Sequence, residues 1–221
     1  DIPLIKKIAS TKKPIVISTG MANLEEIKFT YNVAKKHGAQ DITLLYCVSN
    51  YPSKLNDFNM NNIKILQSKF NCRVGLSDHS NDERVAMTAI AAGAEVVEKH
   101  IALDNQKKGL DIKFSLKGKE IYKFKKMLNT TYNLLGVKYF KRNKSENKSK
   151  LHRRSIFVTK RILKGEKFTS DNIRRIRPGL GISPVYYDRL LGKKSPTNLK
   201  PGEPVKLNLL NKLRLKKLLT Y

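Results

Sequence analysis

Two short stretches, Val74–Ser80 and Val96–His100, hold the residue types best suited to chemistry. Each is a run of apolar or small residues that reads as a buried strand and ends in acidic residues and a histidine. Residues 82–92, between them, read as a helix, the pattern of two consecutive parallel strands. In βα architectures the C-terminal ends of such strands carry the chemistry. If the two strands are neighbours, His79 and His100 emerge on one face, close enough to share a metal ion. Asp78 and Glu98 are then available as ligands or as partners behind the ligands. Two neutral imidazoles completed by water suit a borderline divalent ion such as manganese, cobalt or zinc better than an all-oxygen magnesium site, and the lack of cysteine ligands argues against structural zinc. The competing reading is that two of the four histidines fall near strand ends without sharing a site.

Further polar groups fall at other strand ends. Ser18 and Thr19 close the strand candidate 14–18, Ser49 and Asn50 follow the candidate 41–47, and Ser77 precedes the acid–histidine pair. On one rim, beside exposed backbone N–H groups, they suit a bound phosphate or carboxylate; taken singly, each is an ordinary helix cap. Arg177, between Ile176 and a Pro-Gly turn, is placed either to present a guanidinium rigidly to a carboxylate, amide or hydroxyl or to be solvated. His37, late in a surface helix, and His152, beside Arg153 and Arg154, read as solvated.

The elements that must position these groups repeat. Strands are predicted at 14–18, 41–47, 73–76 and 95–99, and helices at 24–36, 62–69 and 82–92. Asn23 and Glu26 form a capping box for the first helix, and Asn61 is a cap for the second. Four strand–helix units in succession argue for a parallel α/β domain, either half of an eight-stranded barrel or a small open sheet. The chain opens without methionine on what reads as an amphipathic helix already in progress, Asp1–Ala9, so an earlier natural start is expected. A polar loop over 104–113 is long enough to fold over a site. A helix over 117–136 follows, with Ile121, Phe124, Met127, Leu128, Tyr132 and Leu135 at helical spacing. Residues 141–150 contain no apolar side chain and read as a linker. Beyond them a small module is predicted, with a strand at 155–159, a Lys-Gly turn and then a short strand within 162–169, a rigid basic loop at 174–184, a helical turn at 185–191, and a turn and strand within 199–205. So small a core is marginal by itself.

Forty-five Lys and Arg against 18 Asp and Glu give a formal charge of +27, which ordinarily suggests nucleic acid or an acidic membrane. Here the lysines are scattered along the whole chain among asparagine and isoleucine, a compositional bias rather than a binding stripe, and no specific nucleic-acid partner is expected. No run approaches the ~18 apolar residues of a spanning helix and no signal-peptide pattern opens the chain, so no membrane association is expected. Cys47 and Cys72 read as reduced, packed residues, consistent with a cytoplasmic protein.

The segments Ile15–Met21, Leu44–Pro52, Gly75–Ser80, Val97–Leu103 and Arg177–Pro184, in this order, resemble the sialic acid synthase family, and the likeness runs from Asp1 to about Leu209. Those enzymes condense phosphoenolpyruvate with an amino sugar to make nine-carbon acidic sugars. The resemblance implies an α/β fold: the C-terminal half of a TIM (β/α)8 barrel over 1–140, a linker over 141–152, and a small antifreeze-like (SAF, β-clip) domain over 153–213. It implies that the first barrel half, with lysines that help to bind phosphoenolpyruvate, lies outside this chain, which would then be inactive alone.

Carried over by this likeness, His79 and His100 are metal ligands and, with Glu98, catalytic. Ser18 and Ser77 lie around the phosphate and carboxylate of phosphoenolpyruvate, and Ser49, Asn50 and Tyr51 lie near the sugar. Asp111 contacts sugar hydroxyls, and Arg177 reaches into the partner's barrel in a domain-swapped homodimer of the full-length enzyme. The implied cofactor is a divalent metal, Mn2+ by preference, with Mg2+ or Co2+ as alternatives; the implied substrates are phosphoenolpyruvate and an N-acetylated amino sugar. Gly109–Leu116 departs from the Gly-Pro-Asp-His form of N-acetylneuraminate synthases and, with the arginines before Pro178, is closer to the pseudaminic acid branch. Legionaminic and N-acetylneuraminic acid stay open, as does a non-catalytic carbohydrate-binding or interaction fragment.

Overall fold

In a computed structural model that describes residues 1–216, the first apolar run becomes strand β1 (Ile15–Ser18), preceded by helix α1 (Ile2–Ser10). Helix α2 (Leu24–Lys36) leads to β2 (Ile42–Cys47), α3 (Asn61–Lys69) to β3 (Arg73–Asp78), and α4 (Glu83–Ala92) to β4 (Val96–Lys99). All neighbouring pairs are parallel in the order β1-β2-β3-β4, a curled sheet that makes half of a barrel. Strand β2 is buried along its whole length, as its unbroken apolar run requires.

The helix starts are written locally. The Asn23 side chain accepts the Glu26 N–H while Glu26 accepts the Asn23 N–H, completing the predicted capping box. Asp82 accepts the Arg84 N–H at the start of α4, and Gly93, at φ 110°, ends that helix in the left-handed region. The expected Asn61 cap is corrected: Asn61 is the first helical residue, behind Met60, and no side chain caps α3. The core of this half-barrel joins Leu44, Val74 and Leu76 of the sheet to Ile63, Leu66, Val85 and Ala89 of the helices.

Two short strands, β5 (Ile101–Ala102) and β6 (Leu116–Lys117), pair in parallel and bracket the polar loop before α5 (Lys119–Leu135). Of the six apolar residues predicted to line this last helix, only Phe124 is buried, while Ile121, Tyr132 and Leu135 are exposed. The spacing is helical, but α5 packs chiefly on α4 and β6, so half of its apolar stripe stays exposed.

The chain divides into two compact units, 1–138 and a second beginning at Tyr139. In the second, Lys144–His152 forms 3-10 turns with nothing buried. Strand β7 (Ser155–Val158) pairs antiparallel with β8 (Ile173–Ile176), and helices α6 (Tyr187–Leu190) and α7 (Leu207–Lys212) close a core of Ile156, Phe168, Ile173, Tyr186, Leu190 and Leu210. Two expectations are corrected here. Residues 162–169 and 199–205 form single bridges, Ile162 with Leu199, Lys167 with Lys194 and Phe157 with Pro204, rather than strands. Residues 174–176 belong to β8 rather than to the basic loop, because backbone pairing with β7, not apolar alternation, holds them. No described helix is long and apolar enough to cross a membrane.

Candidate active site

Side chains alternate along a strand, and residues in register on parallel neighbours share a face. Ser77 pairs with Glu98 and Asp78 with Lys99, so Ser77, His79, Glu98 and His100 fall on one face of β3–β4 and Asp78 and Lys99 on the other. This separation overturns the expectation that Asp78 could be a ligand beside the histidines. Its carboxylate is buried behind the sheet, where Oδ2 accepts from Lys99 Nζ at 3.0 Å and Oδ1 accepts the Ser80 N–H at 2.8 Å.

On the histidine face the two imidazole rings lie 5.4 Å apart between centroids, edge to face. His79 is 5% exposed, and its Nδ1 lies 3.0 Å from the Val48 carbonyl. A carbonyl only accepts, so Nδ1 carries the proton and Nε2 presents its lone pair. Ser77 Oγ sits 3.3 Å from that Nε2 but donates its single proton to Glu98 Oε1 at 2.6 Å, so the His79 lone pair stays available. His100 Nδ1 faces Asp111 Oδ2 at 3.5 Å, which orients its ring in the same sense and leaves its Nε2 without a hydrogen-bond partner among the described residues. A second-nitrogen contact to a carbonyl or carboxylate is the usual support of a metal-ligating histidine.

The pair therefore fits a divalent ion as a two-imidazole donor set. Among the described residues no group of three or more His, Cys, Asp or Glu side chains is placed to hold a metal, so water or substrate oxygens would complete the coordination. Aromatic rings wall the site. Tyr51 lies over His79, ring centroids 4.2 Å apart, and is half-exposed; buried Phe114 lies 5.0 Å from the His100 ring and 5.9 Å from Tyr51.

Of the residues predicted from sequence, the structure thus gathers Tyr51, Ser77, His79, Glu98, His100 and Asp111. Ser18 ends β1 two strands away and is exposed, whereas neighbouring Thr19 is buried and donates to the Leu45 carbonyl at 3.0 Å. Ser49 is half-buried beside Val48, and Asn50 is exposed and donates to Asp57 Oδ2 at 3.2 Å. Arg177 belongs to the second compact unit, exposed just past β8. Sequence reasoning missed Phe114 and Lys99. Phe114 sits in a polar loop with no periodic signal; Lys99 was signalled by its register opposite Asp78.

Helix α4, which joins the two histidine strands, is secured at its start by Asp82. The Arg84 guanidinium, then the Arg84 backbone N–H, hold its carboxyl well below the usual range, at about 2. Both groups lie on the surface, so the effect is local to the cap.

The NeuB family model matches residues 1–139, and the SAF domain model matches residues 153–211. The N,N'-diacetyllegionaminic acid synthase of Campylobacter jejuni subsp. jejuni is 39% identical over 209 residues, covering 93% of this chain and 63% of that protein. A pseudaminic acid synthase of the same organism is 36% identical over 206 residues, covering 93% and 60%. The chain thus spans a little over three-fifths, or three-fifths, of these relatives' lengths. Among solved structures, the N-acetylneuraminic acid (sialic acid) synthetase of Leptospira borgpetersenii serovar Hardjo-bovis, in complex with citrate, superposes with a TM-score of 0.63 at 32% identity. That match covers 67% of this chain and 52% of the other.

Proposed function

The chain belongs to the NeuB family, and from that premise we propose that the full protein is a phosphoenolpyruvate-dependent synthase of a nine-carbon, sialic-acid-like sugar. The substrates would be phosphoenolpyruvate and an open-chain N-acetylated amino sugar, and phosphate would be released. The observation that carries this reading is the pairing of His79 and His100 on one sheet face, each with its second ring nitrogen turned to an oxygen acceptor.

In the proposed reaction, carbon 3 of phosphoenolpyruvate attacks the sugar aldehyde, water adds at carbon 2, and the carbon–oxygen bond to phosphate breaks. His79 and His100 would hold the divalent ion, Mn2+ by preference with Mg2+ or Co2+ as alternatives, and such an ion supplies Lewis acidity toward a carbonyl oxygen. Val48 and Asp111 fix the two imidazole orientations. Ser77 ties Glu98 beside His79, where the carboxylate can accept a proton or orient water. Tyr51 and Phe114 restrict water around the rings, which strengthens every polar contact made there. The second oxygen of Asp111 is available to a sugar hydroxyl. Ser18 and Ser77 are assigned to phosphoenolpyruvate, Ser49, Asn50 and Tyr51 to the sugar, and Arg177 to the site of the other subunit in a swapped homodimer.

A half-barrel over 1–140, a linker over 141–152 and a SAF domain over 153–213 are the proposed divisions, supported by the limits of the two family matches. The remaining barrel half is assigned to sequence outside this chain, and the full protein to the cytoplasm. For the sugar, the form of Gly109–Leu116 favours 2,4-diacetamido-2,4,6-trideoxy-altrose and a pseudaminic acid product. A legionaminic acid product is the rival, favoured by the 39% identity to a synthase of that sugar.

The test is phosphate release by the full-length gene product with phosphoenolpyruvate, Mn2+ and each candidate sugar. Release with the altrose derivative is expected; release only with the legionaminic acid precursor would move the assignment to the rival. No release with any sugar would refute the synthase reading, and sugar binding without release would support a carbohydrate-binding role in its place.

A further inference from the structure

Behind the sheet, opposite the histidines, lies a group that the reaction above does not use. The Lys99 side chain is 8% exposed, and its ammonium faces the carboxylate of Asp78, a side chain with no exposure, at 3.0 Å. Burying two charges is expensive, and packed apolar residues often hold two strands as well or better. Cohesion alone therefore does not explain the pair, but its connections do. The same ammonium also donates to the Ser80 carbonyl, and Asp78 Oδ1 accepts the Ser80 N–H at 2.8 Å. His79 lies between Asp78 and Ser80, so one cation from β4 grips the residues on both sides of it. Lys99 is itself followed by His100. Among the described residues the other polar ties of His79 are Ser53 N–H to its carbonyl at 3.0 Å and Val48 to its ring, both from the β2–α3 connection, and the 3.3 Å contact of Ser77 Oγ with its Nε2; none of them comes from β4.

We infer that Lys99 is a positioning residue for the two histidines, acting through Asp78 and Ser80 to lock the end of β3 to the end of β4. The inference rests on the metal reading of His79 and His100. The β3–β4 pairing ends at Asp78 and Lys99, one residue short of each histidine, and the histidine carbonyls accept from outside these two strands, His79 from the Ser53 N–H at 3.0 Å and His100 from the Leu116 N–H at 2.9 Å. The clamp takes over where the ladder ends, on the face away from substrate, and so constrains ring spacing without occupying the site. Support of this kind, one layer behind the ligands, is what fixes the geometry and affinity of a metal centre.

The test is Mn2+ affinity, measured by isothermal titration calorimetry on the intact gene product without substrates. Lys99→Met alone leaves a buried, unpaired Asp78 and can unfold the protein, so the informative variant is the neutral pair Asp78→Asn/Lys99→Met. It keeps an acceptor for the Ser80 N–H and removes only the link to β4. Mn2+ binding by this folded variant should weaken by about 10–100-fold. Leu76→Ala, which opens a cavity on the same face of β3 and leaves the clamp intact, should bind Mn2+ close to wild-type affinity. Wild-type affinity in the neutral pair would overturn the inference, as would an equal loss in Leu76→Ala. His79→Ala separates the two levels: unchanged Mn2+ binding there would sink the metal reading itself, whereas lost binding there with a normal neutral pair would sink only the clamp.

Discussion

Gly75→Ala puts the geometry beneath the site to a direct test. Glycine within a strand ordinarily weakens it, unless another backbone comes close. Here one does: a Cβ at position 75 would lie 2.3 Å from the Val96 carbonyl oxygen, 2.7 Å from Leu45 Cδ2 and 2.9 Å from Val96 Cβ. The first contact is about 1 Å short of the ~3.3 Å at which carbon and oxygen comfortably meet, and the obstructing atom is backbone, not a side chain that can swing aside. Alanine would restrict the unfolded chain, a gain of ~0.4–1 kcal/mol. Overpacking costs ~1–3 kcal/mol, and the backbone contact puts this site at the upper end, so the clash wins. A net loss of about 2 kcal/mol corresponds to a fall in melting temperature of roughly 4–8 °C. Position 75 is in register with Val96, two residues below the Ser77–Glu98 pair, so relief by parting β3 from β4 stretches that 2.6 Å hydrogen bond and moves His79 from His100. Thermal unfolding by circular dichroism, followed by Mn2+ titration of the folded variant, reads both effects. An unchanged melting temperature with unchanged Mn2+ affinity would refute the close approach and the coupling drawn from it.

In the second unit, buried Ser155 Oγ donates to the Pro178 carbonyl at 2.7 Å and accepts the Gly181 N–H at 2.9 Å, stapling the loop that follows Arg177. Ser155→Ala should cost ~1–3 kcal/mol and speed hydrogen exchange at the Gly181 amide; wild-type protection there would count against the staple. For Asp82, the folded carboxyl titrates at about 2, below its ordinary 3.8, so its contribution to stability is complete above the ordinary value and is lost as pH falls through the folded one. Carboxyl chemical shifts should place the midpoint near that value and move it upward in Arg84→Met; a normal midpoint in the wild type would refute the Arg84 contact. Burial pushes the Cys72 thiol up, so its alkylation by iodoacetamide at mildly alkaline pH should be slower than that of a free cysteine, and equal rates would contradict the packing.

The half-barrel was legible because its rules are local. Buried parallel strands leave unbroken apolar runs, and Asn23 with Glu26 announces the helix that follows. The small module obeys other rules. Its chain crosses itself at single bridges such as Ile162 with Leu199, and β8 consists of Ile173 and Ile176 around two exposed arginines. No period of two marks either, and only the fold supplies the partner strand. The apolar spacing of α5 announced a helix correctly but not its burial, since spacing says which residues share a face and not whether anything covers it.

At the candidate site, residue types were legible and facing was not. Reading Asp78 as a possible ligand beside His79 treated adjacency in sequence as adjacency in space, whereas consecutive strand residues point to opposite sides. The alternation that removes Asp78 from the site also explains why the sequence carries an acid and a lysine there. Ser77 and Glu98 fill one face beside the rings, while Asp78 and Lys99, one position on, fill the other. Under the proposed reaction, an ion pair on the ring face would compete with the phosphate and carboxylate of phosphoenolpyruvate for the cation. On the rear face it can draw the two strand ends together without entering that competition, so under the same proposal each of the two adjacent pairs, Asp78-His79 and Lys99-His100, would send one side chain to chemistry and one to holding it in place.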